Sequence, residues 1–275
     1  MNAYKDPSIK GIISSIGGDE SIRLLPYINF DIIKHNPKIL LWYSDTTVSH
    51  FMSYKAGVTS FYGPSIMAWF GENQWLFPYM IEGLEKTILS DSVVWTLSPN
   101  TKEWTNESLT RSNPENQNIL RKREPATGRR RLQWEWIRQG HTLWWCIEVL
   151  EFMKGTSLWP TLDTWRDCIL FLEPSEEQPT EDQVKYYLRN YAAQGVLSMC
   201  KGILFGRAQQ NKDWSQINYD EVLLQVIKEE EHLDIPIITN MDFWHTDPMM
   251  TIPYWVQCCI DCTTQTITIP ENCCS

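Results

Sequence analysis

Three apolar segments of the sequence each lead to a residue that can take part in nucleophilic catalysis. KILLWY is followed by Ser44, CILFLE ends in Glu173, and IPIITNM is followed a few residues later by His245. Because sites in open α/β sheets form outside the carboxyl ends of the strands, we expect these side chains to lie close together. Ser, His and Glu form a triad in which the imidazole takes the serine proton and the carboxylate holds the imidazole.

The setting of Ser44 favours a nucleophile. It lies between a predicted strand and a predicted helix, TTVSHFMSYKAG, which is the setting of a nucleophile elbow. There the amide of Asp45 and the helix N-terminus can stabilise an oxyanion. Each residue also has an ordinary interpretation, because Ser44–Asp45 can start a helix as a cap. Likewise, Glu173 can be a solvated loop acid before a proline, and His245 can belong to an HTDP turn.

Two other clusters raise the question of a metal site. The first is a group of cysteines near the C-terminus: Cys258, Cys259, Cys262, Cys273 and Cys274. A C-x-x-C pair suits zinc, but it lies in the strand-like run VQCCIDCTTQTITI, so free thiols in a reducing compartment are the favoured interpretation. The second is the run Glu229–His232 at a predicted helix end, which is typical of a solvated face. We therefore expect no metal and no organic cofactor.

The order of the predicted elements indicates an α/β protein. Strand-like and helix-like runs alternate over residues 1–97, which predicts a flavodoxin- or Rossmann-like domain with a parallel sheet, carrying the nucleophile. Residues 98–141 are polar and weakly periodic, and we interpret them as a connecting or substrate loop. Residues 142–275 begin with a predicted helix, LWWCIEVLEFMKG, and form a smaller α/β domain with a β-rich end that carries Glu173 and His245.

Composition excludes several classes of protein. The 275 residues include 34 acidic and 24 basic side chains, so the net charge is -10 and neither nucleic acid nor a membrane surface is expected as a partner. No apolar run approaches the roughly 20 residues that span a bilayer. The start, MNAYKDPSIK, lacks the apolar core of a signal peptide, which indicates a cytoplasmic protein. One basic cluster can be a solvated loop, which is favoured, or a grip for an anionic ligand: Arg121, Lys122, Arg123, Arg129, Arg130 and Arg131.

Several stretches, taken together and in order, resemble the serine peptidases that include bacterial LD-carboxypeptidases and the microcin C self-immunity proteins. They are IISSIGGDESIRLLPYINFDIIKHNPKILLWYSDTT, FYGPSIM, CIEVLEFMKGTSLWP, CILFLEPSEEQP, GVLSMCKGILFGR and HTDPMMTIPYWVQ. The resemblance implies a catalytic triad of Ser44, Glu173 and His245. It also implies an oxyanion hole formed by the amides of Asp45 and Gly18, with Gly17 as the alternative to Gly18.

The length of residues 98–141 resembles the self-immunity branch of this family. The resemblance implies cleavage of the amide that joins a peptide or aminoacyl group to a sulfamoyl or phosphoramidate nucleotide, so the expected partner is a small peptide or peptidyl nucleotide. Trp104, Trp134 and Trp136 are candidates for stacking on a base, although packing roles are favoured for at least two of them. The alternative substrate is a murein tetrapeptide, cleaved at its L,D amide in cell-wall recycling. An inactive homologue is the alternative of another class, and relatives also suggest a homodimer.

The sequence departs from the family in two respects. The family has a further strand–helix segment before the Gly17–Gly18 turn, and we interpret its absence as an incorrectly assigned start or a fragment. The second departure is tryptophan at family glycine positions: Trp42, Trp69, Trp75, Trp144, Trp145, Trp244 and Trp255. Random drift would not choose one bulky residue, and the 13 glycines fall short of the roughly 19 expected from average usage. We hypothesise that the source organism reads the codon UGA as glycine.

Overall fold

Two larger β-sheets organise the chain. The computed structural model describes residues 1–73, 76–90, 95–110, 112–208, 218–243 and 245–274, with the backbone alone for Trp95 and Trp145. The strands are β1 (Gly11–Ile13), β2 (Ile39–Trp42), β3 (Phe61–Tyr62), β4 (Trp95–Thr96), β5 (Glu103–Trp104), β6 (Glu124–Pro125), β7 (Arg130–Gln133), β8 (Ile137–Cys146), β9 (Cys168–Glu173), β10 (Gly202–Gly206), β11 (Ile237–Met241), β12 (Ile252–Pro253), β13 (Gln257–Asp261) and β14 (Thr266–Ile269).

Helices connect most of these strands. The α-helices are α1 (Asn2–Lys5), α2 (Phe30–His35), α3 (Thr47–Lys55), α4 (Pro78–Thr87), α5 (Ile147–Met153), α6 (Leu162–Trp165), α7 (Glu181–Ala193), α8 (Val196–Met199) and α9 (Tyr219–Leu223). Short 3-10 helices span Ser21–Tyr27, Ser44–Thr46 and Pro114–Asn118, and π-helical segments span Ile66–Phe70 and Leu224–Glu230. Within the described residues, no helix has the length and apolar character that a membrane crossing requires.

The sheets combine parallel centres with antiparallel edges. The first sheet has the order β1-β2-β3-β12, with β1, β2 and β3 parallel and β12 antiparallel to β3. The second has the order β4-β14-β13-β8-β9-β10-β11-β7, in which β8, β9, β10 and β11 are parallel and the flanking strands are antiparallel. The predicted α/β class with parallel sheets is confirmed.

The central strands form the core because most of their residues are apolar. Every residue of β9, β10 and β11 is buried, which is typical of parallel strands covered on both faces. The following helix α7 is fixed at its start by a capping box, in which the side chain of Thr180 accepts from the amide of Gln183 and the Gln183 side chain accepts from the amide of Thr180. These elements place the end of β9, and therefore Glu173, at the edge of the core.

The helix predicted to begin at Leu143 begins at Ile147 instead. Leu143–Cys146 continue strand β8, which pairs with β9 from His141↔Cys168 to Cys146↔Glu173. An apolar run that is buried on all sides does not show whether it is strand or helix, because neither period is visible in it. Pairing with β9 makes this run a strand, and β8 continues to Cys146, which pairs with Glu173.

Contacts between distant segments bring the carboxyl ends of strands from both sheets together. β12 pairs with β3 through Ile252↔Tyr62, which ties the chain after β11 to the first sheet. Residues 98–141 join the same region, because Thr105 and Asp247 exchange backbone hydrogen bonds of 2.7 and 2.9 Å. The buried carboxylate of Asp242 also joins these segments, because it forms an ion pair with Arg207 and accepts a hydrogen bond from the amide of Asn100 at 2.8 Å.

The Asp242 carboxylate is expected to be a large single contributor to stability. Its side chain and that of Arg207 are 2% and 3% exposed, so Asp242→Asn leaves a buried guanidinium without its counter-charge. We expect the free energy of unfolding to fall by about 3–5 kcal/mol. Urea denaturation followed by circular dichroism measures this loss.

The matched control is Asp163→Asn, since Asp163 pairs with Arg166 at an exposed position. That variant is expected to leave the midpoint nearly unchanged, because exposed ion pairs contribute little. Equal losses in the two variants would contradict the role assigned to the buried pair.

Candidate functional site

Ser44 occupies a strained position at the junction of β2 and α3. Its φ is 64°, in the left-handed region that non-glycine residues rarely adopt. The turn is fixed by side-chain hydrogen bonds, since the hydroxyl of Thr46 donates to the carbonyl of Tyr43 and that of Thr47 donates to the carbonyl of Ser44 at 2.8 Å. Such strain is found at functional sites, and this strand–turn–helix geometry is that of a nucleophile elbow.

The three residues singled out from the strand ends lie together. The Nε2 atom of His245 is 2.9 Å from Oγ of Ser44, which is hydrogen-bond distance. The Nδ1 atom of His245 is 3.7 Å from Oε2 of Glu173, which is longer than a hydrogen bond. Glu173 is fully buried and its Oε2 accepts from the hydroxyl of Tyr62 at 3.2 Å. The three side chains therefore lie in a row, with a hydrogen bond between Ser44 and His245 but none between His245 and Glu173.

A fourth residue, which the sequence did not single out, completes the surroundings of the imidazole. Oε2 of Glu176 is also 2.9 Å from Nε2 of His245. Glu176 lies in the turn after β9, and its side chain is 61% exposed. An exposed acid beside a second acid in a loop carries no periodic signal, so the strand end at Glu173 was the nearest indication in the sequence.

Burial and charge shift the pKa values of these groups in opposite directions. Burial raises the pKa of Glu173 to about 8, although His245 and the Tyr62 hydroxyl act to lower it. The hydrogen bond with His245 lowers the pKa of Glu176 to about 2. Burial lowers the pKa of His245, but the bond to Glu176 and the charge of Glu173 outweigh it, so the net pKa is raised. The imidazole is thus held in its charged form more strongly than in water.

The glycine turn lies directly against the nucleophile. A Cβ atom on Gly17 would lie 2.7 Å from both Cβ and Oγ of Ser44, so only glycine fits there. The carboxylate of Asp45 accepts the amide of Ser21 at 2.8 Å and so holds the chain just after Gly18. This arrangement brings both predicted oxyanion elements, the glycine turn and the residue after Ser44, to the nucleophile. Their role as oxyanion donors stays a prediction.

A cavity of about 460 Å³ opens beside His245 and Tyr43. Its walls come largely from residues 98–141, called the connection below, through residues 106–109, 113, 116, 117 and 121, and from the segment near Glu72. Its lining holds four carboxylates and one guanidinium: Glu72, Glu107, Glu176, Asp247 and Arg121. Arg121 forms ion pairs with both Glu72 and Asp247, the latter at 2.7 Å, so its charge is largely compensated.

The other residues of the basic cluster lie outside the lining of this cavity. Lys122 pairs with Glu124 at 2.6 Å, Arg123 pairs with Glu103 and Arg130 with Asp220 at 2.6 Å. Arg129 and Arg131 line a different cavity. Of the cluster, Arg121 alone lies among the described residues around the cavity beside His245. Lys122, Arg130 and Arg131 are exposed, as the solvated-loop interpretation predicts, whereas Arg121 and Arg123 are largely buried in ion pairs.

The tryptophans proposed to stack on a base lie elsewhere. Trp104 is buried with the guanidinium of Arg207 5.0 Å from its ring. The indole N–H of Trp134 donates to the carbonyl of Cys262 at 2.9 Å, and that of Trp136 donates to Asp234 at 3.3 Å. None of the three is among the described residues that line the cavity beside His245. All three have packing or hydrogen-bonding roles within the fold.

The tryptophans at positions where the resemblance implies glycine differ from these three in their hydrogen bonding and backbone conformation. The indole N–H groups of Trp42, Trp69 and Trp144 are buried, and none has a hydrogen-bond partner among the described residues. Trp255 has a φ of 61°, a conformation that suits glycine. A buried donor without a partner costs about 1–3 kcal/mol. Trp75, Trp244 and the side chain of Trp145 lie outside the described residues. These observations support glycine at such positions.

The structure shows no preformed metal site in the part of the chain that it describes. No three His, Cys, Asp or Glu side chains converge there in a way that would hold an ion. Cys259 lies in strand β13 and Cys262 in the turn that follows it, as the strand-like run predicts.

Comparisons with known proteins show similarity along most of the chain. Residues 1–63 match the LD-carboxypeptidase N-terminal domain and residues 139–260 match the LD-carboxypeptidase C-terminal domain. The Microcin C7 self-immunity protein MccF of Escherichia coli is 30% identical over 271 residues, which are 97% of this chain and 75% of that protein.

Solved structures show the same similarity. An MccF-like protein from Streptococcus pneumoniae, solved in complex with AMP, has a TM-score of 0.86 at 29% identity, covering 98% of this chain and 81% of its own. MccF in complex with glutamyl sulfamoyl guanosine has a TM-score of 0.83 at 26% identity, covering 100% of this chain and 79% of its own. The resemblance identified in the sequence is confirmed.

The hypothesis about glycine makes a prediction about the protein from its natural source. We expect glycine, and not tryptophan, at position 42 and at the other six positions. The structural reason is that glycine would remove the orphaned N–H groups of Trp42, Trp69 and Trp144 and would suit the φ of 61° at Trp255.

The control position is Trp134, whose N–H is satisfied and where tryptophan is expected in the same protein. Tryptophan at position 42 would contradict the hypothesis. Mass spectrometry of the protein from its natural source reads the residue at position 42 directly. UGG codons at these positions in the gene would also refute it.

Proposed function

Because the chain belongs to the LD-carboxypeptidase family, we propose that it is a serine-type carboxypeptidase or amidase whose catalytic residues are Ser44, His245 and Glu173. The observation that carries the proposal is the 2.9 Å contact between Oγ of a strained Ser44 and Nε2 of His245. A serine in a left-handed turn that also meets an imidazole has an activated geometry. A helix cap or a surface turn requires neither feature.

The reaction follows from this geometry in two halves. Oγ of Ser44 attacks the amide carbonyl carbon while Nε2 of His245 takes its proton, and the amides of Asp45 and Gly18 or Gly17 stabilise the oxyanion. His245 then gives that proton to the leaving nitrogen as the C–N bond breaks, which leaves an acyl ester on Ser44. In the second half, His245 takes a proton from water, the hydroxide attacks the ester, and the proton returns to Oγ of Ser44.

The buried carboxyl group of Glu173 supports the imidazole during both proton transfers. It is 3.7 Å from Nδ1 of His245, and catalytic hydrogen bonds that are long in a free enzyme often tighten when substrate binds. Its fully buried position makes any charge on it act strongly on the imidazolium. Tyr62, which donates to the same carboxyl group, fixes its orientation.

We propose a peptidyl or aminoacyl nucleotide as the substrate. The connection forms much of the cavity beside His245, so the segment that resembles the self-immunity branch would face a ligand bound in this cavity. Related structures contain AMP and glutamyl sulfamoyl guanosine, which are ligands of this size and chemistry. The L,D amide of a murein tetrapeptide is the second candidate, since both matched domains are described as LD-carboxypeptidase. A cytoplasmic location and a homodimer stay predictions.

Ser44→Ala is expected to abolish hydrolysis of the substrate, with a loss of at least about a thousandfold in kcat, while the fold stays cooperative. Liquid chromatography of aminoacyl sulfamoyl adenosine and of murein tetrapeptide, each incubated with the enzyme, measures the products. The control is Ser157→Ala, an exposed serine far along the chain. Full activity of Ser44→Ala would remove the nucleophile from the proposal. A natural full-length protein that folds and hydrolyses neither compound would favour an inactive homologue.

Gly17→Ala is expected to reduce kcat by about tenfold or more, because its Cβ would meet Cβ and Oγ of Ser44 at 2.7 Å and displace the nucleophile. Gly11→Ala is the matched control, since its nearest neighbours would lie at an ordinary 3.6 and 3.7 Å. Steady-state kinetics measure kcat for both variants, and circular dichroism checks that both are folded. Equal kcat values for Gly17→Ala and the parent would show that the glycine turn does not constrain Ser44.

A further inference from the structure

The Nε2 atom of His245 has two partners at the same distance. Oγ of Ser44 and Oε2 of Glu176 each lie 2.9 Å from it. On the other side of the ring, Nδ1 has no hydrogen-bond partner among the described residues. The imidazole is therefore contacted most closely at the atom that must exchange protons with Ser44.

The two contacts require opposite protonation of Nε2. A carboxylate only accepts, so its hydrogen bond to Nε2 requires a proton on that nitrogen. General-base catalysis on Ser44 requires the lone pair of the same nitrogen. While Glu176 is bound, His245 cannot take the serine proton.

We propose that Glu176 is a positioning residue that keeps the proton on Nε2 of His245 in the free enzyme and is displaced when substrate enters the cavity. The proposal rests on the proposed function, since it assigns Glu176 a role in the same site. Glu176 lines the cavity and its side chain is 61% exposed, so an entering ligand meets it and it has room to leave.

The turn that carries Glu176 is held by the core. The buried carboxylate of Glu148 accepts both the amide and the hydroxyl of Ser175, at 2.7 and 2.9 Å. This anchors the backbone one residue before Glu176, while the Glu176 side chain is exposed and is not packed in the core. A fixed backbone with a mobile side chain suits a group that alternates between two positions.

The other charged groups around His245 do not replace Glu176. Glu173 faces Nδ1 from the end of β9, and Glu148 acts on the imidazole from α5. Asp247, two residues after His245, is paired with Arg121 of the connection. Tyr43 meets the ring at a centroid distance of 5.2 Å. Among these groups, Glu176 alone lies within 2.9 Å of Nε2, and its exposed side chain has room to move away.

The consequence is a dependence of activity on pH. The bond with Glu176 helps to raise the pKa of His245, so the base form of the imidazole is lost as pH falls through that raised value. Removing the charge of Glu176 lowers the pKa of His245 and moves the acid limb of kcat/KM to lower pH. Glu176→Gln keeps the shape of the side chain and removes its charge.

We expect Glu176→Gln to increase kcat/KM by about threefold or more on the acid limb, with little change on the plateau. The matched control is Glu177→Gln, which removes the same charge from the next residue, an exposed one outside the cavity. It should leave the acid limb in place. The profile is measured with whichever of the two substrates the parent hydrolyses. An unmoved limb in Glu176→Gln, an equal shift in both variants, or a loss at every pH would overturn the proposal.

An NMR titration separates this proposal from the proposed function. The imidazole signal of His245, assigned by its absence in His245→Gln, is followed against pH in the parent and in both glutamine variants. A midpoint lowered in Glu176→Gln alone supports the pairing even if neither substrate is hydrolysed. An unchanged midpoint refutes the pairing even if the enzyme is active.

Discussion

The contact between Ser44 and His245 depends on the relative placement of two sheets. The residues are 201 positions apart, and one follows β2 of the first sheet while the other follows β11 of the second. A hydrogen bond of 2.9 Å tolerates little movement between them. The pairing of β12 with β3 and the hydrogen bond from the amide of Cys146 to Oγ1 of Thr47, at 3.3 Å, both cross between these parts of the chain. The proposed chemistry therefore depends on the contacts between the two sheets.

The burial of Glu173 gives this arrangement its electrostatic character. A carboxyl group at the end of an all-apolar strand has little access to water, so its charged form is costly unless a cation is nearby. In the proposed mechanism a charged His245 provides that cation, and Tyr62 donates a hydrogen bond to the same carboxyl group. The same low polarity that makes Glu173 hard to ionise makes it effective once the imidazole is charged. Glu176, in contact with solvent, can ionise freely and acts on the opposite nitrogen.

Local pattern in the sequence is sufficient for the central strands and for the residues at their ends. The predicted strand CILFLE spans the same residues as β9, and the position of Ser44, Glu173 and His245 after apolar strands is enough to group them. What depends on distant partners is not predictable in this way. The strand character of Leu143–Cys146 is decided by β9, and the contact of Glu176 is decided by where His245 arrives after about seventy further residues. The cavity wall formed by the connection is likewise a tertiary feature, because its polar sequence has no period that would indicate a face.

Two of the unusual tryptophans lie close to the candidate site. Trp144 stacks on Tyr62 at a centroid distance of 3.5 Å, and the Tyr62 hydroxyl donates to Glu173, so Trp144 lies within two contacts of the buried Glu173 carboxyl group. Trp42 ends the strand that leads to Ser44. In both, the bulky ring is accommodated but its N–H is not, whereas Trp134 and Trp136 find partners. A fold that selects tryptophan for packing normally satisfies its donor as well. The unsatisfied donors of Trp42 and Trp144 therefore distinguish them from Trp134 and Trp136, and both lie at positions where the resemblance implies glycine.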